Sequence, residues 1–233
     1  AILITEDIIL EGGADDVFIF QCTAVLSQSV NTKVILSGGV QAKNVIWQNA
    51  GNVKIQPGAH LEGIILCKTD VAIETGASVN GAIYAQTAVA LQKARVASAG
   101  GMCAPPSILE IAEPLELENV PVLPVAVPVP AVPTPEEPVA PVDVKTAANY
   151  AVLSEESVST ESISTVTGNV GVSPATSTTI YNFGLVLDSN GEFSISSQVS
   201  GKVFAADYEG RVPQELIDAI NDFTDAFIDA MSR

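Results

Sequence analysis

A repeat of about 18 residues is the sequence feature that most constrains the fold. Residues 53–69, VKIQPGAHLEGIILCKT, match residues 71–87, VAIETGASVNGAIYAQT, at an offset of 18. Residues 34–50 match residues 53–69 at an offset of 19, residues 8–24 follow the pattern more loosely, and the last copy continues into residues 89–91. Each copy reads as a short alternating strand, a corner with glycine and a second strand. This period favours a parallel β-solenoid over an ordinary β-sandwich, because each coil can stack on the preceding one.

The composition agrees with a layered, repetitive core. Hydrophobic residues make up 47% of the chain, but aromatic residues only 5%. The core must therefore consist mainly of Ala, Val, Ile and Leu, which pack well in thin regular layers.

The same glycine corner occurs in a second, distant segment. TGNVGV at 167–172 and SGKVFA at 200–205 follow the pattern G-x-[VI]-x-[AVC], as do EGIILC at 62–67 and NGAIYA at 80–85. The two segments are therefore predicted to use one coil geometry.

A proline-rich stretch separates these segments. Residues 97–145 are predicted to be an extended linker, rich in Pro and Val, between a coil-bearing half at 1–96 and a second half at 146–233. About 24 residues of polyproline II at roughly 3.1 Å each span on the order of 70 Å. Such a segment can strap one domain or reach a neighbouring molecule.

The C-terminal residues 213–232 have helical rather than strand periodicity. The apolar positions at helical spacing are Leu216, Ile220, Phe223, Phe227 and Met231. Aspartates occupy the other side, and Pro213 opens the segment. We expect a long amphipathic helix that docks through these five residues onto one face of the coils.

Charge excludes several classes of partner. The 27 acidic and 10 basic residues give a net charge of −17, which repels nucleic acid and anionic membrane surfaces. The longest apolar stretch, at 120–132, is interrupted by prolines, so no membrane insertion is expected.

At this point both segments resemble a known family. TAANYAVLS, TVTGNVGVSPAT, SSQVSGKVFAADY and the helix look like the N-terminal half of the ice-binding protein domain of polar microbes. GGADDVFIFQ, GGVQAKNVIWQNAG and LEGIILCKTDVAIETGASVNGAIYAQTAVALQ look like its C-terminal half. The resemblance implies a mainly β fold: a right-handed, three-sided parallel β-solenoid with one long helix alongside. It also implies a secreted, extracellular protein that adsorbs to ice without catalysis.

The chain departs from the family pattern in two respects. Its halves stand in reversed order, and the capping segment that normally lies between the helix and the second half is missing. In addition, relatives often carry threonine in the outward strand column. Here that column is predicted to consist of Ile9, Ile35, Lys54, Ala72 and Ala90.

Candidate catalytic and metal-binding groups are few. His60 is the only histidine, which excludes the commonest catalytic triads and most zinc sites, and it is expected on the coil surface at the position of Ser78 in the next coil. Asp15 and Asp16 are better explained by a corner turn than by calcium, because the loop lacks alternating oxygen ligands. We expect no enzymatic activity, no metal and no cofactor.

The three cysteines do not form a disulfide framework. Cys22 and Cys67 are predicted two coils apart, roughly 9 to 10 Å, whereas a disulfide needs Cα atoms closer than about 7 Å. Both are therefore expected to be free and buried, and Cys103 is expected to be the one able to link chains.

Three explanations account for the reversed halves: a circularly permuted single domain, one phase of a tandem array, or a subunit that completes the solenoid of the next chain. A half-solenoid exposes an unpaired coil end, which is a template for pairing. The leading hypothesis is therefore an extracellular, self-assembling structural filament or adhesive matrix in which other copies of the chain are the partners. The alternative is an ice-binding, antifreeze protein with a permuted monomeric domain, whose partner is ice.

Overall fold

The chain winds into stacked coils of short parallel strands. The computed structural model describes residues 1–98 and 139–233, and these belong to one compact unit. The prediction of a mainly β, solenoid-like fold with one long helix is confirmed. Right-handed winding stays a prediction.

The strands are short, and most have two to five residues. Those in the first described range are β1 (Ile2–Ile4), β2 (Ile8–Glu11), β3 (Phe18–Cys22), β4 (Leu26–Gln28), β5 (Val34–Ser37), β6 (Val45–Asn49), β7 (Val53–Ile55), β8 (His60–Glu62), β9 (Ile64–Cys67), β10 (Val71–Ile73), β11 (Ser78–Asn80), β12 (Ile83–Ala85), β13 (Ala88–Gln92) and β14 (Arg95–Ala97). Those in the second range are β15 (Tyr150–Ser154), β16 (Ser157–Ser162), β17 (Thr165–Thr167), β18 (Asn169–Val172), β19 (Ile180–Tyr181), β20 (Val186–Leu187), β21 (Ser194–Ser196) and β22 (Val199–Ala205). The helix α1 is Val212–Ser232, and short 3-10 turns lie at Ala42–Asn44, Lys145–Asn149 and Ser177–Thr179.

The strands form three faces. The seven-strand face is the sheet β1-β4-β7-β10-β13-β16-β19. The helix-covered face contains β3, β6, β9, β12, β15, β18 and the end of β22. The third face contains β8, β11, β14, β17 and the start of β22, and β2 and β5 extend it through a bridge between Lys33 and His60.

The two halves of the sequence close into one stack within one chain. Ile83 pairs with Val152, Val89 with Val158 and Val96 with Val166, so strands before residue 98 bond to strands after residue 139 on all three faces. The fifth coil starts with β13 and β14 and is completed by β15. The predicted need for a second chain to complete a half-solenoid is therefore wrong, because the coil end that it would cover is already paired.

The domain boundaries at 96 and 146 stay predictions. Most of the predicted linker, residues 97–145, lies outside the described residues. Of its described end, Val142 and Val144 are buried in the cluster beneath the helix.

Between its strands the solenoid encloses an aliphatic core. Inward positions repeat from coil to coil, as in the buried column Leu26, Val53, Val71, Val89 and Val158. β-Branched residues pack well on pleated strands that bury one face. The scarcity of aromatic residues is therefore a direct reflection of this thin, repeated interior.

The glycine corner motif marks the turn between the third face and the helix-covered face. Gly63 and Gly81 both have positive φ, and a Cβ at Gly81 would lie 1.8 Å from the carbonyl oxygen of Gly63 in the coil below. Gly168 and Gly201 take the equivalent position in later coils, where the Gly201 amide bonds to the Gly168 carbonyl at 3.2 Å. Only glycine permits backbones to stack this closely.

The helix covers its face with fewer large residues than predicted. Leu216, Phe223 and Phe227 are buried as predicted, and Ile220 is half-buried against the same cluster. Met231 is a correction: it is 55% exposed, because it lies on the outer side of the last turn. The sequence reading missed three small buried residues, Ala219, Ala226 and Ala230, which let the helix approach the sheet.

A short segment ties the helix to the coils. The Tyr84 hydroxyl donates to the carbonyls of Ala147 at 2.9 Å and Tyr150 at 3.3 Å. Thr146 donates through its amide and hydroxyl to Asp222 on the helix, and Lys145 pairs with the same carboxylate at 3.3 Å. The turn that leads into β15 is therefore held from both sides.

The cysteine prediction is confirmed where it is described. Cys22 pairs in register with Asn49, and Asn49 with Cys67, so the two cysteines lie two coils apart, free and buried. Burial raises the pKa of the Cys67 thiol. Cys103 lies outside the described residues.

Candidate functional surface

Among the described residues, the helix α1 covers one of the three faces. The cluster under the helix joins Ile46, Leu66, Tyr84 and Leu153 of the strands to Leu216 and its neighbours on α1. The seven-strand face and the third face are the two that α1 leaves uncovered, so both are candidate surfaces for a large partner.

The seven-strand face presents one central outward residue in each coil. In register, this column is Leu3, Ser27, Lys54, Ala72, Ala90, Ser159 and Tyr181. Four of the five positions between its ends are Ser or Ala, so the side chains in the middle of this column are short and similar in length. Parallel strands repeat these positions about every 4.7–4.9 Å.

The predicted outward column is correct only in part. Lys54, Ala72 and Ala90 do lie side by side, but Ile9 and Ile35 pair with each other on the third face. The strand of the second coil that continues the column is β4, which contributes Ser27.

A buried polar residue explains this register error. Gln28 points inward from β4, where an aliphatic residue is expected, and its Nε2 donates to the carbonyls of Thr32 and His60, each at 3.0 Å. The motif LSQ therefore lacks the alternation of VKI and VAI. The gap-free match of residues 34–50 with 53–69 consequently placed a third-face strand in the wrong column. An alignment of Leu26 with Val53, which pair in register, would have identified the correct strand.

Lys54 interrupts the column of short side chains. Its ammonium pairs with the Glu74 carboxylate of the next coil at 2.8 Å. Beside it, the Gln56 amide donates to Ser27 Oγ at 3.4 Å. These two longer side chains are thus bonded to residues of neighbouring coils.

The third face has two outward columns and carries more ionisable groups. The first column includes Lys33, His60, Ser78, Arg95 and Thr165, and the second includes Ile35, Glu62, Asn80, Ala97 and Thr167. The T-x-T pair Thr165 and Thr167 occurs in one coil of this face. Charge and side-chain length therefore vary from coil to coil.

His60 takes the position predicted for it, beside Ser78. Its Nδ1 lies 2.7 Å from Ser78 Oγ and its Nε2 lies 2.9 Å from Glu62 Oε1, and Asn80 donates to the other oxygen of Glu62 at 2.7 Å. The four side chains satisfy one another on a strand surface. We therefore read this group as a surface network that fixes rotamers across two coils.

In residues 1–98 and 139–233, no group of three or more His, Cys, Asp and Glu side chains is placed to hold a metal ion. Asp16 instead accepts a hydrogen bond from the Gly13 amide at 2.8 Å, as a corner residue does. No helix in these ranges is long and apolar enough to cross a membrane.

The sequence matches a family model over both described segments. The model, described as ice-binding-like, covers residues 1–97 and 152–233. The chain belongs to the ice-binding-like family. The resemblance of the two segments is thereby confirmed, whereas the reversed order of the halves stays a prediction.

Individual relatives match over shorter regions. An ice-binding protein of Typhula ishikariensis, K1-A, is 51% identical over 88 residues, which are 38% of this chain and 36% of the relative. An ice-binding protein of Lentinula edodes is 43% identical over 88 residues, or 38% and 31% of the two chains. This chain thus spans about a third of the length of the curated relatives it matches.

A solved structure also matches in part. The crystal structure of a glycosylated ice-binding protein from an Arctic yeast has 35% sequence identity and a TM-score of 0.42, and the match covers 46% of each chain.

Proposed function

We propose that this ice-binding-like chain is a non-catalytic protein that adsorbs to ice through its seven-strand face. Family membership supports ice as the partner. The observation that carries the choice of face is the register of Ser27, Ala72, Ala90 and Ser159, whose short side chains leave an even, repeating surface. The same comparisons overturn the filament hypothesis, since the relatives are named as ice-binding proteins and the two halves pair within one chain.

Ice differs from most ligands because it is a flat, periodic solid. A protein face can match it only if its own groups repeat at a constant spacing and do not protrude. The strand ladder supplies the spacing, about 4.7–4.9 Å from coil to coil. Small apolar and hydroxyl groups supply shallow sites where ordered water can bridge protein and lattice.

The third face fits this role less well. His60, Glu62, Ser78 and Asn80 hydrogen-bond to one another, and Arg95 stands next to them as an exposed charge. Groups that are already paired offer fewer free bonds to a lattice, and exposed charges keep their own hydration.

Matched tyrosine substitutions test the choice of face. Ala72→Tyr and Ala90→Tyr place a bulky ring in the centre of the seven-strand face, whereas Ala97→Tyr makes the same change on the third face. We expect both of the first two variants to lose thermal hysteresis and ice-crystal shaping, and Ala97→Tyr to keep them. Loss confined to Ala97→Tyr would move the site to the third face, and a parent protein without thermal hysteresis would refute ice binding.

We further propose that the reversed halves are a circular permutation and that the protein works outside the cell. Pairing of the two halves in one chain supports the first proposal, and the extracellular location that the family resemblance implies supports the second. A chain that joins Arg233 to Ala1 through a short Gly-Ser linker and opens between residues 118 and 119 should keep the circular dichroism spectrum and activity. Failure of that chain to fold would count against a permuted domain. Recovery of the protein from culture medium tests secretion.

A further inference from the structure

Lys54 is the one charged residue in the central column of the seven-strand face. It pairs in register with Ser27 on one side and Ala72 on the other. Lysine has a long, flexible and strongly hydrated side chain. If the Lys54 side chain extended straight out from the face, it would keep the shorter Ser and Ala side chains of the column from contacting a flat surface.

Glu74 prevents this by position and by charge. It follows β10 in the next coil, and its amide donates to the Ile55 carbonyl at 2.9 Å, which fixes its backbone against the strand that carries Lys54. Its carboxylate meets the Lys54 ammonium at 2.8 Å, and the Glu74 side chain is only 22% exposed. The lysine is thus drawn diagonally towards the next coil rather than away from the face.

We infer that Glu74 is a positioning residue of the ice-binding surface: it holds Lys54 along the seven-strand face so that the Ser and Ala column can reach the lattice. This inference rests on the proposed function. The ammonium side of this ion pair is open to solvent, since the Lys54 side chain is 47% exposed. Solvent-exposed pairs contribute little to stability, so fold maintenance is a weak explanation for this pair. A side chain that is already restrained also loses less conformational freedom on adsorption.

Four variants separate this role from a structural one. Glu74→Gln keeps the size of the side chain and removes its charge, so Lys54 is released. Lys54→Ala removes the obstacle itself, and the double variant Lys54→Ala/Glu74→Gln removes both. Asp70→Asn changes the charge by the same amount in the same coil, and serves as the matched control.

Thermal hysteresis at equal protein concentration is the readout, with thermal unfolding by circular dichroism as the check on folding. We expect Glu74→Gln to lose roughly half or more of the activity at an unchanged Tm. Lys54→Ala and the double variant should both match or exceed the parent, because Glu74 has no role once Lys54 is gone. Asp70→Asn should equal the parent.

Two results would overturn the inference while leaving ice binding by this face intact. One is parental activity in Glu74→Gln although Ala72→Tyr is inactive. The other is an equal loss in Glu74→Gln and in the double variant, since Glu74 would then act without Lys54. If Ala72→Tyr and Ala90→Tyr both retain full activity, the proposed face and this inference fall together.

Discussion

Of the glycine corners, Gly81 leaves the least room for a side chain, and Gly81→Ala is the sharpest test of the stacking geometry. Gly81 has φ +155, and its amide donates to the Ala97 carbonyl at 2.7 Å. An added Cβ would lie 1.8 Å from the Gly63 carbonyl oxygen and 2.5 Å from its carbonyl carbon. Both atoms belong to the backbone of the neighbouring coil, so the clash cannot be relieved by rotating a side chain.

Two costs combine in this variant. A non-glycine residue in a sparsely populated positive-φ conformation costs about 1–3 kcal/mol. Forcing an extra carbon into a packed site costs about 1–3 kcal/mol more, through shifts of the backbone. We therefore expect the free energy of unfolding to fall by about 2–6 kcal/mol, against a total of about 5–15 kcal/mol for a typical domain.

Gly76→Ala is the matched control, because Gly76 also has positive φ, at +74, but the nearest heavy atom to its added Cβ is 3.9 Å away. It carries only the conformational cost, about 1–2 kcal/mol. Urea unfolding followed by far-UV circular dichroism measures both variants. Equal destabilisation of the two would refute the argument that coils touch at the Gly63 and Gly81 corner.

Three further perturbations probe how the helix and its connecting segment are held. Tyr84→Phe removes one of the two donors to the Ala147 carbonyl, which keeps the Tyr150 amide, so urea unfolding should show a loss of about 0.5–1.5 kcal/mol; an unchanged midpoint would contradict this bond. Phe223→Ala empties a fully buried site and should cost about 3–5 kcal/mol, whereas Ile228→Ala, at an exposed position of the same helix, should stay within about 0.5 kcal/mol of the parent. The Thr146 hydroxyl, with Lys145, lowers the pKa of Asp222. A carboxyl group whose pKa is lower in the folded protein than in the unfolded chain stabilises the fold at pH values above the unfolded-state pKa, near 3.9 for Asp. This stabilisation is lost as the pH falls through the folded-state pKa. Asp222→Asn should therefore be less stable than the parent at pH 7, and the difference in stability should vanish in acid. A difference that persists at a pH below both pKa values would mean that the Asp222 charge does not cause it.

The sequence predicted the repeating coils well because their pattern is local and strict. Val53, Val71 and Val89 recur at 18 residues and do stack in register. The same reasoning failed in the first two coils, where the corner after β5 is longer and includes the turn Ala42–Asn44. There the offset no longer identifies the face, and the inward Gln28 breaks the apolar alternation that would otherwise mark β4 as the strand of the column.

The helix shows a second limit of pattern reading. Large apolar residues at helical spacing identified Leu216, Phe223 and Phe227, but the same rule included Met231, which is exposed, and overlooked Ala219, Ala226 and Ala230, which are buried. Which apolar side contacts the sheet depends on where the helix axis lies. That position depends on tertiary contacts, such as those of the cluster that contains Tyr84 and Leu153, which the helix sequence alone does not show.

The proline-rich stretch interrupts the fifth coil at a corner between two strands. Ser98 precedes the undescribed residues at the corner where Gly81 and Gly168 turn in neighbouring coils, and its amide bonds to the Thr167 carbonyl at 3.0 Å. A corner is the one part of a coil that contributes no strand to any of the three ladders. A long insertion there leaves β14 paired with β11 and β17, and β15 paired with β12 and β18. Because loop-closure entropy grows only slowly with length, the stack can accept such an insertion at little cost. The proline-rich stretch therefore divides the sequence without dividing the solenoid, and the seven-strand face runs across the break through β13 and β16.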